Sequence, residues 1–454
     1  MLFILLACGK PVPPEAAPPA HDPVGDWGGD IALPGGNSLP FVIHITPDDS
    51  GGFTGTADSP DQGAFGLPIS SVSTDGDSLT VEIAAVKGTF TGTYTDTDTL
   101  AGQWKQGIAK LPLTLARGEV AAPPARPQMP EAPFPYRTED LQVTLEAHTL
   151  AGTLTIPEGD GPFPGVVLIT GSGPQDRDES LMGHKPFLVL ADHLTRSGIA
   201  VYRYDDRGVG ESTGDFEGAT TVDFGADATA ALAALRARPE VSAAGLVGHS
   251  EGGMIAPIIA AEAAPDFMVL LAPPAVPIGE LMLAQVEAVS RSAGTPEETI
   301  AQLLPLQEQV YDLATAGDTP ENRAALAALI PTMPGAEELD AEAIGIQIDA
   351  IYAPWMSWFL RYDPSENLTA LDVPVYALWG SRDVQVLSEQ NAPAFTTLTA
   401  GNPAAKGQVF EGLNHLFQPA VTGAVSEYAK IETTIDPAVL SAVSDWIRSV
   451  NEFE

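Results

Sequence analysis

Cysteine is nearly absent. The 454 residues contain one, Cys8, so no internal disulfide can form and cysteine says nothing of an oxidising compartment. Positive charge is also scarce: 21 Lys and Arg stand against 60 Asp and Glu, a formal net charge of −39. So acidic a chain repels nucleic acid and anionic membrane surfaces, which argues against a basic binding face for either. No run reaches ~18 uninterrupted apolar residues, so no membrane-spanning helix is expected. His184 and His193 lack H-x-x-x-H spacing and a Cys partner, and neither a metal site nor a cofactor is expected.

What the chain does hold is a serine in a telling context. Gly245-Leu246-Val247 reads as the end of a short buried strand, and Gly253-Met254-Ile255-Ala256-Pro257-Ile258-Ile259-Ala260 as a buried helix. Between them lies Gly248-His249-Ser250-Glu251-Gly252. A Ser on a sharp strand-to-helix turn has its hydroxyl pushed into the open, and the flanking glycines let strand and helix approach closely. A second G-x-S-x-G, Gly210-Glu211-Ser212-Thr213-Gly214, reads as loop on both sides. Context therefore singles out Ser250.

A Ser hydroxyl is a weak nucleophile until a base takes its proton, and a carboxylate fixes the tautomer of that base. In α/β-hydrolases the order along the chain is Ser, acid, His. Of seven His only His415 follows Ser250, in a loop just past the apparent strand Gln408-Val409-Phe410. The candidate acid is Asp383, after the strand Val375-Tyr376-Ala377-Leu378-Trp379 and the Gly380 turn, at the carboxyl end of the sheet. A turn Asp that merely satisfies backbone amides is the other reading. The strand Met268-Val269-Leu270-Leu271 runs into Ala272-Pro273-Pro274-Ala275 and offers no competing carboxylate. For the oxyanion, the amide of Glu251 is one expected donor. The second belongs to the loop Thr170-Gly171-Ser172-Gly173-Pro174 after the strand Gly165–Ile169, by position Ser172.

Three stretches then resemble one family. They are Gly171-Ser172-Gly173-Pro174-Gln175-Asp176-Arg177-Asp178, Asp206-Arg207-Gly208-Val209-Gly210-Glu211-Ser212 and Gly248-His249-Ser250-Glu251-Gly252-Gly253. With Gly380/Asp383 and Asn414-His415, they are similar to bacterial α/β-hydrolase carboxylesterases of the EstD type, over residues 137–450. That group is akin to dienelactone hydrolases and acylaminoacyl peptidase-like hydrolases. The resemblance implies an α/β-hydrolase fold and metal-free hydrolysis of carboxylic esters with short acyl chains. It assigns Ser250 as nucleophile, Asp383 as orienting acid and His415 as base, with oxyanion amides from Ser172 and Glu251. Two rival readings remain: a serine peptidase or acylaminoacyl hydrolase of the same architecture, and a non-catalytic surface lipoprotein binding glycan or lipid.

The rest of the chain divides by texture. Leu5-Leu6-Ala7-Cys8 resembles a bacterial lipobox and is followed by a Pro- and Ala-rich stretch, so residues 1–23 read as a lipoprotein-type signal and tether. Lipidation of Cys8 would place the protein in the cell envelope, at the periplasmic or outer-membrane face, touching a membrane only through that anchor; secretion is the alternative. Residues 24–117 alternate like short antiparallel strands, with Trp27 and Trp104 closing a small core, and predict a β-barrel or sandwich. Residues 118–136 read as a Pro-rich linker and 137–454 as βα alternation around a mostly parallel sheet. A helical stretch, 277–367, interrupts that rhythm and predicts a cap over the active site. Its Trp355, Trp358 and Phe359 are candidates for an acyl pocket, although aromatics at helical spacing also make plain core. Thr295-Pro296-Glu297 and Thr319-Pro320-Glu321 read as capped helix starts. Asp206 and Arg207 are expected to form an ion pair that braces their loop.

Overall fold

The computed structural model describes residues 21–32, 38–48, 50–60, 64–107, 109–118, 124–336 and 339–451. Cys8 lies outside these. The chain divides into two compact units, the second taking up the chain from Pro124. In the first, nine strands from Gly25–Ala32 to Ala109–Arg117 join in one antiparallel sheet, the first strand paired to both the second and the last. Alternation decides which side chains are inside: Leu79, Val81 and Ile83 are buried along one strand, and Phe90 and Tyr94 along the next. Trp27 and Trp104 share that core, Trp104 lying 4.7 Å from the ring of Phe41. A single sheet curled around one core thus stands where a two-sheet sandwich was the alternative.

The expected linker is shorter than 118–136. Residues from Pro124 onward belong to the second unit, where Arg126 donates to the carbonyls of Ala429 (2.7 Å) and Ile431 (2.9 Å). Gln128 donates to the carbonyl of Ile435 at 2.7 Å and accepts from Thr434 N–H. A Pro-rich composition signals extended backbone, and here that backbone is fastened by two polar side chains.

The second unit has eight strands: β1 (Tyr136–Thr144), β2 (Thr149–Pro157), β3 (Phe163–Ile169), β4 (Ala200–Tyr204), β5 (Val241–His249), β6 (Met268–Leu271), β7 (Val375–Gly380) and β8 (Ala405–Phe410). Their order is β1-β2-β4-β3-β5-β6-β7-β8. Strands β1 and β2 pair antiparallel, β2 is antiparallel to β4, and every pair from β4 to β8 is parallel. Central strands are buried on both faces, which explains unbroken apolar runs such as Val166–Ile169 and Met268–Leu271. Helix α1 (Pro186–Arg196) crosses from β3 to β4, and α2 (Thr221–Arg236) crosses back from β4 to β5. Right-handed crossovers in opposite directions put these helices on opposite faces of the sheet. Chain direction reverses at β3, so a crevice opens at its carboxyl end, the usual place for a site.

Helix α3 (Glu251–Ala263) follows β5 directly. Between β6 and β7 come α4 (Ile278–Ser292), α5 (Glu297–Ala316), α6 (Pro320–Leu329), α7 (Ala341–Ile351), α8 (Pro354–Phe359) and α9 (Ser365–Thr369). These helices hold a small core of their own around Val310, Leu326, Ile330 and Ile348. Thr319 caps α6 by accepting from Asn322 N–H, whereas Thr295 does not cap α5, whose N-cap is Pro296. Helix α10 (Ser388–Leu398) and α11 (Pro437–Asn451) complete the unit.

Candidate active site

The geometry begins with two glycines. A Cβ on Gly248 would lie 2.0 Å from the carbonyl oxygen of Gly252, and one on Gly252 would lie 2.2 Å from that of Ile169. Only bare backbone lets the start of α3 press this closely on β5 and β3. Ser250, squeezed between them, takes φ +53° and ψ −113°, a region an L-residue enters only under constraint. Its own N–H donates to the Leu271 carbonyl at 2.8 Å, which ties the turn to β6.

Asp383 and His415 approach through a third glycine. A Cβ on Gly380 would meet the Leu413 carbonyl at 2.2 Å, so the turn after β7 can lie against the loop after β8. Asp383 Oδ1 accepts from the N–H groups of Gln385 (2.7 Å) and Val386 (2.9 Å). Oδ2 is left for His415 Nδ1, at 2.7 Å. The two readings of Asp383 are therefore not exclusive: one oxygen satisfies the turn and the other holds the imidazole. Both residues are 5% exposed. Asn414 shapes the loop, its Oδ1 accepting from Leu416 and Gln418 N–H.

One cavity of about 220 Å³ is lined by Ser250, His415, Ser172 and Glu251 together. Ser250 and His415 make no hydrogen bond to each other among the described residues, and such contacts commonly tighten only when substrate is present. Glu251 is the first residue of α3, so its N–H is one of the four that a helix start leaves without an internal partner. The apolar wall includes Leu281 and Met282 of α4, and Trp355 and Phe359 of α8. Trp358 does not line it; its ring stacks on Tyr362 at 5.1 Å. A six-residue helix can turn only one face to the cavity, and Trp355 and Phe359, four apart, share that face.

Several buried acids surround the site, and motif reading found none of their roles. Glu251 buries its carboxyl, which accepts from Thr221 Oγ1 (2.6 Å) and Trp355 Nε1 (2.9 Å). Burial pushes that carboxyl above its ordinary range, against the hydrogen bonds from Thr221, Trp355 and Ser172. Asp206 does not pair with Arg207. It accepts from Thr170 Oγ1 and Gln175 N–H, both at 3.0 Å, and burial raises it to about 8. Arg207 turns instead to Asp227 (2.7 Å), which also bonds His148 Nε2 at 2.7 Å. Glu179 and His249 form a further pair at 2.8 Å. Among the described residues, no group of three or more His, Cys, Asp or Glu is arranged to hold a metal ion.

A family model described as serine aminopeptidase, S33, matches residues 185–328, a span that holds Ser250 but neither Asp383 nor His415. The esterase EstD of Thermotoga maritima is 29% identical over 323 residues, 70% of each chain. Among solved structures, the esterase Pf2001 of Pyrococcus furiosus is 16% identical over 73% of this chain and 98% of its own, with a TM-score of 0.43. The proline iminopeptidase of Mycobacterium smegmatis is 16% identical over 69% of this chain and 99% of its own, with a TM-score of 0.42. The sequence likeness is thus to an esterase and to a serine hydrolase family model, and the chain is a serine hydrolase of the carboxylic ester hydrolase class.

Proposed function

We propose that the protein is a serine carboxylesterase that cleaves short- to medium-chain acyl esters through an acyl-enzyme. The observation that carries this reading is that His415, bonded to Asp383, lines the same cavity as the strained Ser250. Ser250 Oγ attacks the ester carbonyl carbon while His415 Nε2 takes its proton. The Asp383 bond at Nδ1 keeps the proton on that nitrogen and leaves Nε2 free as base. The N–H groups of Ser172 and Glu251 receive the oxyanion, each such donor being worth roughly 2.7–4 kcal/mol of barrier. Collapse of the intermediate breaks the ester C–O bond, and His415 returns the proton to the departing alkoxide. Water then repeats the sequence on the acyl-enzyme. The insertion acts as a cap whose α4 and α8 supply the apolar wall, and the cavity's small volume favours short acyl chains.

The match to a serine aminopeptidase model motivates a second reading, peptide or aminoacyl hydrolysis. A peptidase of that kind needs a free carboxylate for the amino terminus. Of the two acids lining the cavity, Glu251 accepts from Thr221 and Trp355, and Glu179 is paired through Oε1 with the His249 ring, its Oε2 buried, so neither presents an unmatched charge for an amino terminus. Turnover of a short-chain aryl ester series and of an aminoacyl anilide, by wild type and Ser250→Ala, separates the two. Ester turnover that vanishes in Ser250→Ala is expected; preference for the anilide would overturn the esterase reading. Residues 1–23 are proposed as the tether of a lipoprotein, checked by incorporation of labelled fatty acid that Cys8→Ala abolishes.

A further inference from the structure

One buried pair beside the cavity takes no part in the scheme above. His249, next to Ser250, has Nδ1 2.8 Å from Glu179 Oε1 and Nε2 3.0 Å from the backbone carbonyl of His415. Glu179 is 3% exposed and His249 6%. Both ring nitrogens therefore face oxygen, yet a neutral imidazole has only one N–H. Two protons are needed, and the second sits either on Nδ1 or on Glu179. The N–H of Gly171 donates to the same Glu179 Oε1 at 2.9 Å, which favours negative charge there. An ordinary Glu is also more acidic than an ordinary His by about two units. The proton belongs on the ring. Glu179 Oε2 is buried with no hydrogen-bond partner, so Oε1 alone carries the bonds of this carboxyl.

We propose that Glu179 and a doubly protonated His249 are positioning residues for the base. The imidazolium clasps the His415 carbonyl to the serine turn, with the two ring centroids 4.8 Å apart. Glu179 joins a third loop to this clasp through Gly171. The proposal rests on His415 being the base, as argued above. Burial works against a charged His249, but the Glu179 carboxylate, its hydrogen bond and the His415 carbonyl leave it above ordinary histidine, with Asp383 adding in the same sense. Glu251 and Glu179 both act on buried Asp206 on one side of the pair, and Tyr428 and Asp383 lie on the His415 side.

Ring ¹⁵N shifts of the full chain, labelled at histidine and assigned with His249→Asn, test the charge directly. Both nitrogens of His249 are expected to keep protonated shifts at pH 7, in wild type and in Ser250→Ala alike; a neutral-ring pattern overturns the proposal. Steady-state kinetics test the consequence. In His249→Gln, which keeps a donor within reach of the His415 carbonyl but removes the charge that holds Glu179, kcat is expected to fall roughly ten- to a hundredfold with KM nearly unchanged, as misplacement of the base requires. An unchanged kcat, or a loss confined to KM, would overturn the positioning role. The ring shifts need no turnover, so failure of the esterase reading and failure of this one are told apart.

Discussion

The chain carries G-x-S-x-G twice, and the two copies use the same letters in opposite ways. Around Ser250 the glycines are needed for close approach: Gly248 and Gly252 sit where a Cβ would strike backbone oxygen at 2.0 and 2.2 Å. Around Ser212 they are needed for backbone conformation, with Gly210 at φ +55° and Gly214 at φ +116°. Ser250 is strained and lines a cavity. Ser212 is buried, its Oγ donating to the Asp205 carbonyl (2.7 Å) and accepting from Ala151 N–H (2.8 Å). A hydroxyl with proton and lone pair both engaged is mortar. The second copy also serves the first, because its loop holds the Ser172 loop through Asp205, which bonds Arg177, and through Asp206.

The largest effect should split the copies cleanly. Ser250→Ala is expected to lower kcat by about 10⁶-fold with little change in stability. Ser212→Ala should leave kcat within roughly twofold and cost about 1–3 kcal/mol in denaturant unfolding, since it strands a buried N–H. If Ser212→Ala were the one to abolish turnover, the contrast between the copies would be reversed. Next in size, Asp383→Asn keeps the turn but presents the wrong tautomer to His415, and a loss of kcat near 10⁴-fold is expected. A fall below tenfold, measured under saturating ester, would point to another acid.

A stability effect follows from the loop that braces Ser172. Asp206 is raised to about 8 by burial, so the folded protein holds a proton that the unfolded chain releases near pH 4. The stability this contributes is full below pH 4 and is lost as pH rises through about 8. Asn imitates the protonated acid. Wild type is therefore expected to lose on the order of 1 kcal/mol more than Asp206→Asn between pH 7 and 9. Parallel unfolding curves across that range would show Asp206 to be an ordinary ionised carboxylate.

How much of this was legible follows from how far apart the partners lie. The serine turn could be read because strand, turn and helix are contiguous and each has a local signature. Asp383 and His415 could be singled out as candidates because each follows a short strand, at positions the resemblance to EstD-type esterases also implied, and they lie 2.7 Å apart. The Asp206–Arg207 pair was misread because neighbours in sequence point in different directions, and Arg207 finds Asp227 twenty positions on, in α2. Glu179 carried no signal at all beyond a local run of acids. Its role needs β3, β5 and β8 to end at one level, as the pairing of Ile169 with Gly248, His249 with Leu271 and Gly380 with Phe410 arranges. The linker was drawn too long for a related reason, since composition does not say which surface Arg126 and Gln128 reach.

The same distinction between facing a cavity and facing a core can be drawn within one helix, where the expected effect is smallest. Trp355 and Trp358 lie three apart in α8 and were equal candidates for substrate contact. Trp355 lines the cavity, stacks on Phe359 at 4.7 Å and donates from Nε1 to the Glu251 carboxylate. Trp358 stacks on Tyr362, off the cavity wall. Trp355→Phe keeps the stack but removes one of the donors to a buried carboxyl beside Ser250, and the other, Thr221, remains. A KM increase of roughly two- to fivefold with kcat nearly unchanged is expected for short aryl esters, close to the ~1 kcal/mol of one hydrogen bond. Trp358→Phe should change neither constant. Equal effects from the two substitutions would mean that α8 acts as a packed unit and that its cavity-facing side has no special part in binding the acyl chain.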